Sequence, residues 1–151
     1  MLTEQLNQDL KEAMRARDKV RLRTIRLLRA ALLEKEIAER RGGEAELSEE
    51  QAMAVLQKQA KQRRDSMEQF ENAGREDLAV TEREELEVIK EYLPEQLSED
   101  EIRKEVEAIV ADVQASSMKD MGRVMGPAMQ RLRGKADGKV VQSLVRELLT
   151  S

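Results

Sequence analysis

The chain has 151 residues, a formal net charge of -4 and 38% charged residues, and its aromatic content is one Phe and one Tyr. That length accommodates one domain or two small ones, with any core built from aliphatic and methionine side chains. With neither cysteine nor histidine in the sequence, disulfides, thiolate or imidazole metal sites and imidazole bases are excluded.

Only two prolines and seven glycines interrupt a chain rich in Ala, Leu, Glu, Arg and Gln. Those residues lose little freedom in a helix, so the expected fold class is all-α. The opening Met1-Leu2-Thr3-Glu4-Gln5 has no basic or apolar leader pattern, and no apolar run approaches membrane-spanning length. A soluble cytoplasmic protein with no membrane partner is expected.

Leu6, Leu10, Ala13 and Met14 recur about once per turn and predict a short amphipathic helix. From Lys11 to Arg41 eleven Lys or Arg face five Asp or Glu, a net of +6. Lys19, Arg23 and Arg26 fall on one helical stripe beside an apolar stripe of Ile25, Leu28 and Leu32. This basic helix reads either as a solvated, ion-paired face or as a second phosphate-facing surface.

Arg41-Gly42-Gly43-Glu44 is the expected stop of that helix, and Ser48-Glu49-Glu50-Gln51 reads as a capping box opening the next. Met53, Leu56, Ala60, Met67 and Phe70 form its apolar seam, in which Arg63 takes the place of an apolar residue. A guanidinium buried there without a partner costs several kcal/mol. Arg63 is therefore expected to snorkel or to meet a carboxylate on a facing helix.

Ala73-Gly74-Arg75 is a second break, and Thr81-Glu82-Arg83-Glu84 is read as a capping box opening a helix through Leu86, Ile89 and Leu93. Between Glu44 and Glu101, eighteen acidic residues outnumber seven basic ones, a net of -11. That middle is no nucleic-acid surface; its carboxylates face water or pair with the basic helix in an antiparallel bundle. Leu93-Pro94 ends the helix, and the domains are placed at residues 1-96 and 97-151.

Ser98-Glu99-Asp100-Glu101 reads as a third capping box, before a helix with Ile102, Val106, Ile109 and Val113 on one face. Met121, Met125, Ala128 and Leu132 repeat the spacing, with a kink or a restart expected at Gly126-Pro127 so that Pro127 stands in a first turn. Val141, Leu144, Val145 and Leu148 mark the last helix. Three such helices can bury one small core.

Between Ser116 and Lys139 the local charge inverts. Lys119, Arg123, Arg131, Arg133, Lys135 and Lys139 stand against Asp120 and Asp137, a net of +4, which points to a binding surface. The turn from Arg131 to Lys139 precedes a helix, where backbone amides and cations together would suit a phosphate backbone; the plainer alternative is an exposed turn that is basic by chance.

The turn is not a P-loop, because Met129 and Ala136 stand where that motif needs Gly and Ser or Thr. No catalytic carboxylate pair stands out, and Ser116 and Ser117 have no histidine; Ser117 with Asp120 reads as a helix cap. No catalytic residue, metal ligand or cofactor is assigned. Phe70 and Tyr92 lie outside the basic region, so stacking on single strands is not expected and a structured RNA is the natural target.

Several separated stretches together resemble the GatB/YqeY family over nearly the whole chain. They are Leu22-Arg23-Thr24-Ile25-Arg26, Lys61-Gln62-Arg63-Arg64-Asp65-Ser66 leading to Phe70 and Ala73-Gly74-Arg75, Tyr92-Leu93-Pro94 with Gln96-Leu97-Ser98, Met118 to Gly126, and Gly134-Lys135-Ala136-Asp137-Gly138. The resemblance implies a free-standing YqeY-like protein, with a helical N-terminal domain and a three-helix tail similar to that of GatB. GatB is a subunit of the glutamine-dependent amidotransferase acting on misacylated glutamyl- or aspartyl-tRNA, a carbon-nitrogen ligase whose tail contacts tRNA while its chemistry lies elsewhere.

Carried over to this sequence, the resemblance makes Lys119, Arg123, Arg131, Arg133, Lys135 and Lys139 candidate RNA contacts. The implied partners are tRNA or another structured RNA and proteins of amidotransferase or aminoacyl-tRNA synthesis, not DNA. Gln114 stands where the family is expected to carry a glycine, and Pro127 is a second departure. Three readings stay open: a tRNA-binding accessory module, a participant in glutamine-dependent carbon-nitrogen ligation acting only with partner subunits, and a protein-interaction module without RNA.

Overall fold

The structure, a computed structural model, describes residues 1–40 and 46–150. It is all-helical, and among the described residues the helices are α1 (Leu2–Ala16), α2 (Lys19–Glu39), α3 (Glu49–Asn72), α4 (Glu76–Lys90), α5 (Glu99–Asp112), α6 (Met121–Leu132) and α7 (Gly138–Thr150), with a single 3-10 turn at Met118–Asp120 before α6. The chain divides into two compact units, Met1–Leu93 and Pro94–Ser151.

In the first unit, α1 to α4 close over Leu6, Ile25, Leu28, Leu56, Ala60 and Ile89, all fully buried. Burying each of the larger of these side chains contributes about 2 kcal/mol. The stripe of Ile25, Leu28 and Leu32 faces inward as its spacing predicts, while Met14, expected on the inner face of α1, is 54% exposed. Asp18 caps α2 by accepting from the Arg21 amide at 3.1 Å, and the capping box of Ser48 and Gln51 opens α3. The Arg41-to-Glu44 stop lies outside the described residues.

α3 and α4 pair through Glu71–Arg83 and Arg63–Glu85. The pairing runs antiparallel, with the return made at Gly74 in a left-handed conformation, φ 73°. The capping box expected at Thr81 does not form: α4 begins five residues earlier, at Glu76, and Thr81 lies in its interior. Ala79, upstream of Thr81, is fully buried, so packing carries the helix through the local cap pattern.

The acidic middle does pair with the basic helix. Arg21 of α2 meets Glu91, and Arg23 meets Glu85 at 3.2 Å and Glu84 at 4.0 Å.

In the second unit, Ile102, Val106 and Ile109 of α5 pack with Val124, Ala128 and Leu132 of α6 and Val141, Leu144, Val145 and Leu149 of α7. Ser98 caps α5 through the Glu101 amide at 3.2 Å, but the Glu101 carboxylate takes the Ser98 hydroxyl rather than its backbone amide, so the box is half formed. No restart occurs at Gly126-Pro127. Pro127 lies inside α6, and burial of Val124 and Ala128 on either side of it holds the turn helical although the ring removes one donor.

Candidate nucleic-acid interface

The basic stretch is distributed over three local structures. Lys119 lies in the 3-10 turn, Arg123 and Arg131 lie on α6, and Arg133 and Lys135 lie in the connection to α7, whose second residue is Lys139. All six candidate cations are exposed.

Arg123 and Arg131 make local ion pairs, and Lys139 is also engaged locally. Arg123 donates to Asp120 at 3.1 Å and to the Val113 carbonyl at 2.5 Å, tying α6 back to the end of α5. Asp120 in turn accepts from the amides of Ser116 at 2.9 Å and Ser117 at 3.3 Å. Those amides, the Ser116 amide foremost, together with Arg123 hold the Asp120 carboxyl below its ordinary range. Arg131 stands 3.8 Å from Asp112. Lys119, Arg133 and Lys135 have no carboxylate within ion-pair distance among the described residues.

Three amides in and just after the connection between α6 and α7 are already used within the chain. Lys135 and Ala136 both donate to the Leu132 carbonyl, at 2.9 and 3.1 Å. Asp137 accepts from the Lys139 amide at 3.0 Å, acting as the N-cap of α7.

The turn is also anchored. Gly134, at φ 78°, lets the chain reverse, and its carbonyl accepts from the Gln96 side chain at 2.7 Å. The Lys135 carbonyl accepts from the Leu97 amide at 2.9 Å. Sequence reading found the cations but missed this anchoring, the Asp137 cap and the Arg123 bond to Val113. Asp137 two residues before Lys139 was the available signal for the cap; the bonds from Gln96 and Leu97 span almost forty residues and have no local signature.

At the start of this stretch Gln114 adopts φ 55°, a left-handed conformation that favours glycine. The departure noted in the sequence therefore falls on a position whose backbone calls for glycine. Elsewhere, among the described residues, no group of acidic side chains is arranged to hold a metal ion, and no helix is long and apolar enough to cross a membrane.

Comparison with known proteins adds the following. The chain is 31% identical over 147 residues to "Altered inheritance of mitochondria protein 41, mitochondrial" of Pyrenophora tritici-repentis, covering 95% of this chain and 78% of that protein. The protein of that name in Lachancea thermotolerans is 37% identical over 114 residues, 74% of this chain and 59% of that one. A shorter match, 51% identical over 55 residues, is to a Glutamyl-tRNA(Gln) amidotransferase subunit of Thermococcus sibiricus, covering 34% of this chain and 9% of that much longer protein. The pattern of the Yqey-like protein family matches residues 3–149, and the chain belongs to that family.

Proposed function

We propose that this chain is a tRNA-associated accessory protein whose second unit binds the phosphate backbone of a structured RNA through Lys119, Arg133, Lys135 and Lys139, with Arg123 and Arg131 at the edge of the contact. The observation that carries this reading is the 51% identity to a stretch of a tRNA amidotransferase subunit. Exposed cations on a turn held at both its carbonyls support it: charges on an anchored segment lose less conformational freedom on binding than charges on a loose one.

The RNA contact is non-catalytic. Backbone contacts of this kind position an RNA without reading its bases. Replacing Arg131 and Arg133 by Glu lowers affinity for bulk tRNA by about tenfold or more at low salt and leaves the helical signal intact. Unchanged affinity in that variant would overturn the reading.

The same similarity supports a second reading, in which the chain contributes to glutamine-dependent carbon-nitrogen ligation as one member of an assembly. It would act there by holding tRNA for partner subunits. Amide formation on misacylated tRNA by a reconstituted amidotransferase should then rise when the chain is added; no change would count against it. We infer that the chain works in the cytoplasm, in the company of its tRNA. The fungal relatives are mitochondrial by name, and fractionation of the source cells checks the compartment.

A further inference from the structure

The first unit carries a surface that RNA binding leaves unexplained. On α2, Lys19, Arg23, Arg26, Ala30, Leu33 and Ile37 follow at alternating steps of four and three, so at ~100° per residue they fall within about 40° of one line along the helix. That line lies opposite Leu28, on the side away from the core. Leu27 and Arg29 flank it at about 80° on either hand.

The stripe is divided along its length. Its first half is cationic, and its second half is aliphatic: Leu33 is 52% exposed and Ile37 55% exposed, with Leu27 at 40% beside the junction. Arg23 is paired with Glu85. Lys19, Arg26 and Arg29 have no carboxylate within ion-pair distance among the described residues.

Two open troughs run along this face. One of about 410 Å³ is bordered by Lys19, Leu22 and Leu27. A second, of about 640 Å³, is shared with the start of α1 and is lined by Ala30, Leu33 and Met1 together with Glu4, Glu36 and Glu46. Arg26 lines both.

We infer that this face of α2 is a docking site for an amphipathic helix of another protein, one with carboxylates at one end and aliphatic side chains at the other. Exposed aliphatic side chains spaced along one line of a helix suit a second helix laid against it, and the cations Lys19 and Arg26 toward one end select acidic partners and set its direction. A nucleic acid would satisfy Lys19, Arg26 and Arg29 but has nothing to set against Leu33 and Ile37.

A second copy fits poorly. Laid parallel, two α2 helices would oppose Lys19, Arg23 and Arg26 to themselves; laid antiparallel, they would press those cations onto Leu33 and Ile37. A membrane surface calls for apolar residues along the whole stripe with cations at its flanks, and here the two classes succeed one another along a single line.

The test uses the full chain and a dye-labelled synthetic helical peptide matched to α2 in length, with glutamates then leucines along one face. Fluorescence anisotropy should show saturable binding, at least about tenfold weaker when the glutamates are replaced by lysines. Leu33→Gln with Ile37→Gln, and separately Lys19→Glu with Arg26→Glu, should each weaken it by about tenfold or more. These side chains are exposed, so the helical signal stays, and tRNA affinity, assigned to the second unit, should not change in either variant.

No saturable binding, or equal binding of the lysine peptide, overturns the proposal. So does a loss of tRNA affinity in the Lys19→Glu, Arg26→Glu variant, which would make the face an RNA surface. Self-association in sedimentation, or binding to vesicles with anionic headgroups, that disappears in the Leu33→Gln, Ile37→Gln variant would assign the face to a second copy or to a membrane instead.

Discussion

The guanidinium of Arg63 on α3 donates from Nε to Oε2 of Glu85 on α4 at 3.1 Å, with only 13% and 9% of the two side chains exposed. The other oxygen of Glu85 accepts from Arg23 of α2 at 3.2 Å, and Arg63 also reaches the Gln59 side chain at 2.6 Å. One carboxylate thus joins three helices, and the cation set into an apolar seam is compensated inside the first unit.

Removing only Glu85 should leave Arg63 nearly buried and short of its partner. Glu85→Leu is expected to destabilise the first unit by about 3 kcal/mol, whereas Glu85→Leu combined with Arg63→Met should recover most of the loss, because well-packed apolar replacements of a buried pair are often tolerated. Urea unfolding of both variants checks this. Equal losses in the single and double variants would show that the pair is not what α3 and α4 depend on.

Tyr92 gives a pH reporter without interference, since it is the only tyrosine and there is no tryptophan. Its hydroxyl donates to Asp9 at 2.5 Å. Burial, foremost, and that carboxylate push the phenol well above its ordinary value. The fold therefore favours the neutral phenol. Its contribution to stability is complete below the unfolded value of about 10 and is lost as pH rises from there through the raised folded value. The tyrosinate absorbance should thus appear at distinctly higher pH in the folded chain than in urea, and coincident midpoints would refute the buried bond to Asp9.

Gln114 holds a left-handed conformation at φ 55°. Gln114→Gly should stabilise the second unit by about 1 kcal/mol, as relief of the side-chain clash outweighs the greater freedom of glycine in the unfolded chain. Thermal unfolding should then shift upward by several degrees; a downward shift would mean that Gln114 makes contacts that offset its strain.

Much of this architecture was legible from local pattern. The breaks at Gly74 and Pro94, the box at Ser48 and the inward faces of α2 and α5 follow from periodicity and cap chemistry, both written within a few residues. Arg63 was legible as a cation in need of a carboxylate, but its partner was not, because choosing Glu85 among many acidic residues requires the packing of α3 on α4.

Thr81 as a cap and Pro127 as a restart misled for one shared reason. A cap-like tetrad or a proline states a local preference of about 1 to 3 kcal/mol, and the burial of Ala79, Val124 and Ala128 outweighs it. In the basic stretch the cations could be read and their surroundings could not. The bonds that hold Gly134 and Lys135 come from Gln96 and Leu97, distant in sequence.

The central claim, that the exposed cations of the second unit contact an RNA backbone, is tested most directly by titrating bulk tRNA into the wild-type chain and the Arg133→Glu, Lys135→Glu variant across a range of salt. Removing one cation from a phosphate should lower the slope of log affinity against log salt by about 0.7 to 0.9. The account predicts binding that weakens steeply with salt in the wild type, with lower affinity and a slope shallower by about 1.4 to 1.8 in the variant. Absence of tRNA binding at low salt, or an unchanged slope in the variant, would contradict it.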